Sequence, residues 1–349
     1  MGDKIGIMGA GALGSYVGAF LSRIGEDVTF IDMWPEHVVK MRTDGLHVTG
    51  SQGPFTVPVK AMHLTEAQNI SEHFDFVFIA VKSYDTEWAT HFIKRYVRDD
   101  GFFVSLQNCW NDVPIGEIVG PNRQLGCIAS HIEVALWEPA LVTRCGAVGR
   151  DSGHTVFRVG EKDGGITPRA EKVAALLDNI DGAYASDNLW GERWAKLSQN
   201  SMGNGLSAST GLGSQQMAED PRCRLIRIHL AKEGTQVGLA QGLNVVDVGG
   251  KPAQMWSEAD KGDVFEELDD FLSSRGGNVN WLASMAQDVH KGRHSEIDYM
   301  NGLICQKGRE VGVPTPFNDA IVEAMHGIDD GSIKPDPSVV DQIMKDVGR

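Results

Sequence analysis

Lys196, Asn200 and Asn204 recur at intervals of four in the stretch Trp194-Ala-Lys-Leu-Ser-Gln-Asn-Ser-Met-Gly-Asn204. On one helix that spacing stacks a cation and two amides in a single stripe. Ser201, Gly203, Gly205, Ser207 and Ala208 lie among and just beyond them. Such small residues let neighbouring backbones come close and predict a buried helix. A cation and two amides on a buried helix need something polar to face, and a small oxyanionic ligand would satisfy them. A solvated helix face is the plainer alternative for the same spacing. A second patch, Gly292-Arg-His-Ser-Glu-Ile-Asp-Tyr-Met-Asn-Gly302, holds Ser295 followed three residues on by Asp298. That pair is a capping-box-like start with Asp in place of Glu or Gln, and it predicts a helix over Ser295–Glu310. Glu296 then falls in the first turn, where a carboxylate complements the helix dipole. Taken alone, Glu296 is either that complement or a functional acid.

The third patch opens the chain. Lys4-Ile-Gly-Ile-Met8 is a short apolar run leading into Gly9-Ala-Gly-Ala-Leu-Gly14, a helical pattern through Ser22, and a second apolar run, Val28–Ile31, that ends at Asp32. A strand, GxGxxG turn, helix, strand and acid in that order is the dinucleotide-binding pattern. Gly9 permits the tight turn, Gly11 lets the backbone approach a pyrophosphate, and Gly14 lets helix and strand pack closely. The helix N-terminus offers free N–H groups to phosphate. The cofactor-binding candidates are therefore Gly9, Ala10, Gly11, Ala12, Leu13, Gly14 and Asp32. A carboxylate at Asp32 accepts from a ribose diol and repels a 2′-phosphate, which favours NAD(H) while NADP(H) stays possible. Arg42 lies too far along the chain to be an obvious phosphate clamp.

The elements that must position these groups follow from the patterning. Strands are expected at Phe55–Val57 with Val59, at 76–81, at Phe102–Leu106 and at Leu125–Ser130, with helices between several of them. This alternation indicates a doubly wound, mostly parallel sheet. In such sheets the carboxyl ends of strands line the ligand crevice, so Lys82 and Asn108 become candidates to touch cofactor or substrate. From His131 to Val159 short β-like runs suggest an antiparallel extension of that sheet. A helix over Thr167–Leu177 closes the first domain, residues 1–186. Residues 187–349 carry helical patterns at Asn188–Ala208, Cys223–Gln241, Ala259–Ser273, Ser295–Glu310 and Pro316–Met325, so an all-α second domain is expected. The stretch Val245–Asn280, with its glycine pairs and the acidic run Glu266–Asp270, reads as surface loop and solvated helix.

Composition narrows the function classes. The chain has 349 residues, a net charge of −15 and 23% charged residues. No basic cluster offsets that acidity, which argues against nucleic acid as a partner. The longest apolar run is far short of a membrane span, and the N-terminus lacks a signal-peptide shape. Five scattered cysteines without a CxxC fit a reducing cytoplasm. His290 and His294 stand four apart, but no further ligand is identifiable beside them, so no metal is expected.

Taken together, Gly9–Gly14, Lys196-x3-Asn200-x3-Asn204 and Arg293–Gly302 resemble the ketopantoate reductases (2-dehydropantoate 2-reductases). The resemblance runs in order from Lys4 to about Met325, and Val81-Lys82 and Gln107-Asn108 also look like the family's strand-end motifs. It implies an N-terminal Rossmann domain and an all-α C-terminal domain of the 6-phosphogluconate-dehydrogenase-C-terminal-like type. It also implies reduction of a 2-oxo acid by a nicotinamide cofactor in the cleft between them. By position, Lys196 matches the family's general acid and Glu296 the supporting carboxylate. Asn108, Asn200, Asn204 and Ser284 match substrate-binding positions, and Glu233 matches a helix glutamate. A lysine ammonium ordinarily titrates near ~10.4, and desolvation lowers this, which suits a general acid at neutral pH. Two departures bear on the substrate: the family's glycine after Gln107-Asn108 is Cys109 here, and the stretch between Asn244 and Asn280 is longer than usual. A reductase of a different 2-oxo or hydroxy acid is the first alternative, and a non-catalytic NAD(H)-sensing protein the second. A homodimer through the helical domain is a possible assembly.

Overall fold

The computed structural model describes residues 2–275 and 281–349, so the last part of the Val245–Asn280 stretch lies outside the described residues. Contacts divide the chain into two compact units, Met1–Leu189 and Trp190–Arg349.

The first unit opens with β1 (Lys4–Met8), α1 (Ala12–Arg23) and β2 (Asp27–Asp32), the strand–turn–helix–strand order of the glycine motif. It continues through α2 (Pro35–Asp44), β3 (Leu46–Gly50), β4 (Phe55–Val57), β5 (Lys60–His63), β6 (Phe74–Ile79), α3 (Thr86–Ile93), β7 (Val97–Ser105), α4 (Asp112–Val119) and β8 (Gln124–Ala129). It ends with β9 (Val134–Glu138), β10 (Leu141–Arg144), β11 (Phe157–Gly160), α5 (Pro168–Asp178) and β12 (Ala183–Ser186). Eight strands form the main sheet in the order β12-β11-β8-β7-β6-β1-β2-β5. All neighbours pair in parallel except β11, which runs antiparallel to β8. Alternation along the strands divides the core: Phe76 and Phe78 pack on one face, Val77 and Ile79 on the other.

The expected antiparallel extension over His131–Val159 forms only in part. β11 does extend the main sheet, but β9 and β10 join β3 and β4 in a separate sheet of order β4-β3-β10-β9. The reason lies in α1, whose residues from Gly14 to Leu21 are all buried. A helix apolar all round needs cover on its outer side as well. The second sheet supplies it, with Leu46, Val48, Leu136 and Val142 sharing a core with Val17, Phe20 and Leu21.

The second unit contains α6 (Leu189–Ser201), α7 (Asn204–Thr210), α8 (Ser214–Glu219), α9 (Pro221–Ala240), α10 (Ala253–Ser257), α11 (Val264–Ser273), α12 (Ser284–His290), α13 (Asn301–Val311), α14 (Pro316–Asp329) and α15 (Val339–Asp346). Among its described residues the only β pairing is an isolated bridge between Val248 and Lys251. Three expectations are corrected here. The single helix over Asn188–Ala208 is broken after Ser201, because Gly203 leaves the helical region at φ −136 and ψ −28 and α7 restarts at Asn204. The helix over Ser295–Glu310 gives way to a short 3-10 turn, Ile297–Tyr299, and α13 begins only at Asn301. Ser295 is no capping residue for it: its hydroxyl donates to Asp329 Oδ2 at 2.6 Å, and Asp298 is taken by His326 Nε2 at 2.7 Å. Finally, Val245–Ser273 is not merely solvated surface. Val248, Trp256, Ala259, Leu268 and Leu272 form a core with Ala195, Ile228 and Ala231. The acidic run hides this, since Glu266, Glu267 and Asp270 occupy the outer face of the helix that buries Leu268 and Leu272.

Candidate active site

In the first unit the topological switch lies beside β1: the chain runs from β1 to β2 on one side, then returns to place β6 on the other. Doubly wound sheets bind ligands at that point. The three glycines there have different neighbours. Gly9 has φ +97, and a Cβ on it would lie 2.8 Å from the Val81 backbone nitrogen at the end of β6. A Cβ on Gly14 would come within 2.2 Å of Gly9 O. Gly11 is exposed, caps α1 without a side chain, and a Cβ on it would meet nothing within 4 Å. The tight glycines thus build a turn around one that leaves open space over the start of α1. Free N–H groups there suit a diphosphate. Gly11→Ala is expected to weaken NADH binding about tenfold by filling that space, with little change in melting temperature. Fluorescence titration and thermal melts measure the two.

Asp32 ends β2 with both oxygens engaged, Oδ2 accepting from Ala10 N at 2.6 Å and Oδ1 from Trp34 N at 2.8 Å. Arg42 is occupied elsewhere, donating to Ala61 O and Glu66. Lys82, half-buried, precedes a 3-10 turn over Ser83–Asp85 just beyond β6. Asn108, also half-buried, stands beyond β7, the next strand. Gln107 Nε2 donates to Val81 O and Thr86 Oγ1, both at 2.8 Å, and so ties the two strand ends together. Asn111 Nδ2 donates at 2.9 Å to Ser83 Oγ and to Asn108 O. Thr86, Ser83 and Asn111 belong to this cluster without standing out in the sequence; the one local signal is the polar run Gln107-Asn108 with Asn111-Asp112 directly after an apolar strand. Cys109 adopts φ +66, a conformation that favours glycine. That explains why a glycine is expected there.

In the second unit α6 carries Lys196 and Asn200, both half-buried, and Asn204 opens α7 after the break. Trp194, two residues before Lys196 on the same helix, is fully buried and donates from Nε1 to Gly234 O on α9 at 2.8 Å. Asn204 Nδ2 meets Ser284 Oγ on α12 at 3.5 Å and Met300 Sδ at 3.6 Å. Glu296 is 6% exposed. Its neighbours fix it: Ser295 is clamped to Asp329 at the end of α14, and Ile297 packs on Gly205, where a Cβ would be 3.2 Å from Ile297 Cδ1. The fold therefore brings the Asn204 amide, Ser284 and the 296–300 segment together. Asn200 is the penultimate residue of α6, and Lys196 stands one turn before it.

His294 Nδ1 lies 3.4 Å from Asp329 Oδ2. Among the described residues no group of three or more His, Cys, Asp and Glu could hold a metal ion. No described helix is long and apolar enough to cross a membrane.

A glycine turn at a switch point, followed by a helical unit with a lysine, amides and a buried acid, defines a nicotinamide-dependent oxidoreductase with a Rossmann unit and a helical unit. The chain belongs to the ketopantoate reductase family: residues 5–152 match the model "Ketopantoate reductase PanE/ApbA" and residues 188–329 match the model of its C-terminal part. The 2-dehydropantoate 2-reductases of Archaeoglobus fulgidus and Pyrococcus horikoshii are 27% and 29% identical, each over 94% of this chain and 99% of their own. A ketopantoate reductase structure from Ralstonia eutropha superposes with a TM-score of 0.75 at 25% identity, covering 94% of this chain and 98% of that one. D-mandelate dehydrogenase, solved with NADH and anilino(oxo)acetate, gives a TM-score of 0.78 at 23% identity over 94% of this chain and 98% of its own, a likeness of fold.

Proposed function

We propose that this chain reduces 2-dehydropantoate to pantoate with NADH, using Lys196 as the general acid. The observation that carries the proposal is the meeting of Asn204, Ser284 and Met300, four residues beyond Glu296, in the unit whose helix α6 presents Lys196 and Asn200. It is supported by relatives named 2-dehydropantoate 2-reductase that match over nearly the whole chain. A bound reduced nicotinamide supplies the hydride that adds to the ketone carbon. The Lys196 ammonium donates a hydrogen bond to the ketone oxygen, polarises it, and delivers a proton to the alkoxide as charge develops. Asn200, Asn204 and Ser284 offer neutral donors to the substrate carboxylate and hydroxyl, as does Asn108 beyond β7. Glu296 holds Lys196 or a substrate hydroxyl in place. Following NADH absorbance with 2-dehydropantoate tests the activity, and absence of turnover with this substrate and with other 2-oxo acids would reject it.

NADH is proposed over NADPH because Asp32 is held at the end of β2 by two backbone N–H groups. A carboxylate fixed there suits a ribose diol and opposes a 2′-phosphate. Asp32→Ala is expected to narrow the NADH-to-NADPH ratio of kcat/KM by at least ~10-fold, since one repulsive charge is removed. A wild-type preference for NADPH would refute the assignment.

A second substrate has one observation in its favour. Cys109 stands buried, in a glycine-favouring conformation, directly beside Asn108. A side chain where the family carries none changes the surroundings of a proposed substrate contact, so a different 2-oxo acid is the runner-up. A panel of 2-oxo acids ranked by kcat/KM separates the two.

A further inference from the structure

His37 belongs to none of the groups discussed so far. It is fully buried on α2, and its ring stacks on Trp34 with centroids 5.3 Å apart. Its Nδ1 accepts from the backbone N–H of Ala140 at 2.8 Å, and Ala140 stands in the turn between β9 and β10 with φ +59. An imidazole nitrogen that accepts from an amide carries no proton, so the ring proton must sit on Nε2. Nε2 faces Ser15 Oγ at 3.3 Å, and Ser15 Oγ donates to Ala10 O at 2.7 Å. Burial holds the His37 pKa below its ordinary value, while the Asp32 charge and a hydrogen bond to the Ala10 backbone pull the other way, in keeping with a neutral ring.

The last link reaches the glycine turn. Ala10 is held at both of its polar groups, its N–H by Asp32 and its carbonyl by Ser15. In a trans peptide the carbonyl and the following N–H point in opposite directions. Pinning the Ala10 carbonyl inward on Ser15 therefore turns the Gly11 N–H outward, over the open start of α1.

We propose that His37 is a positioning residue for cofactor binding: held as its Nε2–H tautomer by Ala140, it orients Ser15, which sets the Ala10–Gly11 peptide so that the Gly11 N–H faces the diphosphate. The second sheet then acts on the cofactor site as well as covering α1, because its β9–β10 turn supplies the N–H that selects the tautomer. This inference rests on a nicotinamide dinucleotide lying over the Gly9–Gly14 turn.

Three single variants of the full chain and the His37→Phe/Ser15→Ala double variant test it, with dissociation constants for NADH and for ADP-ribose and a thermal melt for each. His37→Phe keeps a ring against Trp34 but removes both nitrogens. Ser15→Ala removes only the hydroxyl. His37→Gln carries an acceptor and a donor across one carbon, as Nδ1 and Nε2 do across Cε1. His37→Phe and Ser15→Ala are each expected to weaken NADH and ADP-ribose ~5- to 20-fold, to raise KM for NADH and to leave kcat unchanged. The double variant should bind no worse than the weaker single variant, because both cut one chain of bonds. His37→Gln should recover most of the loss. Unchanged affinities in Ser15→Ala, or additive losses in the double variant, would overturn the inference, as would Gln and Phe behaving alike at position 37. If His37→Phe does not fold, Ser15→Ala and His37→Gln still decide. Failure of the wild-type chain to bind NADH and ADP-ribose would instead remove the dinucleotide itself.

Discussion

Lys196→Ala is expected to lower kcat by at least ~10²-fold, the scale of a lost general acid. The dissociation constant for NADH should change less than ~2-fold, because the groups proposed to hold the dinucleotide are the glycine turn and Asp32. The fold should tolerate the change. Lys196 is half-buried, and α6 is anchored by the buried indole of Trp194 rather than by the lysine. Lys196→Arg sharpens the test: a guanidinium keeps the charge and its hydrogen bonds but does not give up a proton near neutral pH. It should restore substrate KM toward wild type while kcat stays low. Single-turnover measurements with saturating NADH separate the chemical step from product release. Near-wild-type turnover in Lys196→Ala would defeat the assignment of the acid.

Removing the buried carboxylate of Glu233 is expected to cost the fold ~3 kcal/mol, read as a shift in urea midpoint. Glu233 sits on α9, 4% exposed. Oε1 accepts from Phe317 N at 2.9 Å; Oε2 accepts from Asn318 N at 2.9 Å and from Asn318 Nδ2 at 2.7 Å. It therefore caps the start of α14 from a neighbouring helix. The bonds continue: Asn301 Nδ2 donates to Asn318 Oδ1 at 2.9 Å and to Ser201 O at 3.2 Å, the last residue of α6. Glu233→Ala strands three donors at once and loosens the network that reaches the break between Asn200 and Asn204, so substrate KM should rise as well. The pH dependence has a definite sign. Burial pushes the Glu233 carboxyl up to about 7, outweighing the hydrogen bonds that lower it, from an ordinary value of 4.5. Between those values the native state holds a proton that the unfolded chain has released, so stability falls as pH rises. The contribution is fully present below about 4.5 and lost as pH passes about 7. Wild type should show that decline across the window and Glu233→Ala should lack it. A slope of the same size in both would assign the proton elsewhere.

Glu233 also shows how a resemblance can locate a residue without explaining it. Its place in the family pattern was readable along the chain, but its partners lie 84 and 85 positions away on α14. The same limit applies to Glu296. Ser295 and Asp298 form a local capping pattern, yet Ser295 Oγ donates to Asp329 and accepts from Ile297 N only at the head of a short 3-10 turn, His326 takes Asp298, and the helix starts at Asn301 instead. Local rules lost because longer-range partners offered better hydrogen bonds.

The sequence by itself determined the glycine turn with its two strands and helix, the end of β2 at Asp32, and the helical character of the second unit. Each of these is written in periodicity and turn chemistry over a few tens of neighbouring residues, where steric and hydrogen-bonding preferences act directly. Tertiary structure alone decided that β9 and β10 leave the main sheet to cover α1. It alone decided that Asn204 meets Ser284 80 residues on, and that His37 takes its proton position from Ala140, 103 residues away. Those outcomes depend on which buried surfaces and orphaned polar groups find each other once the chain has collapsed, and no local pattern encodes the identity of a partner so far along it.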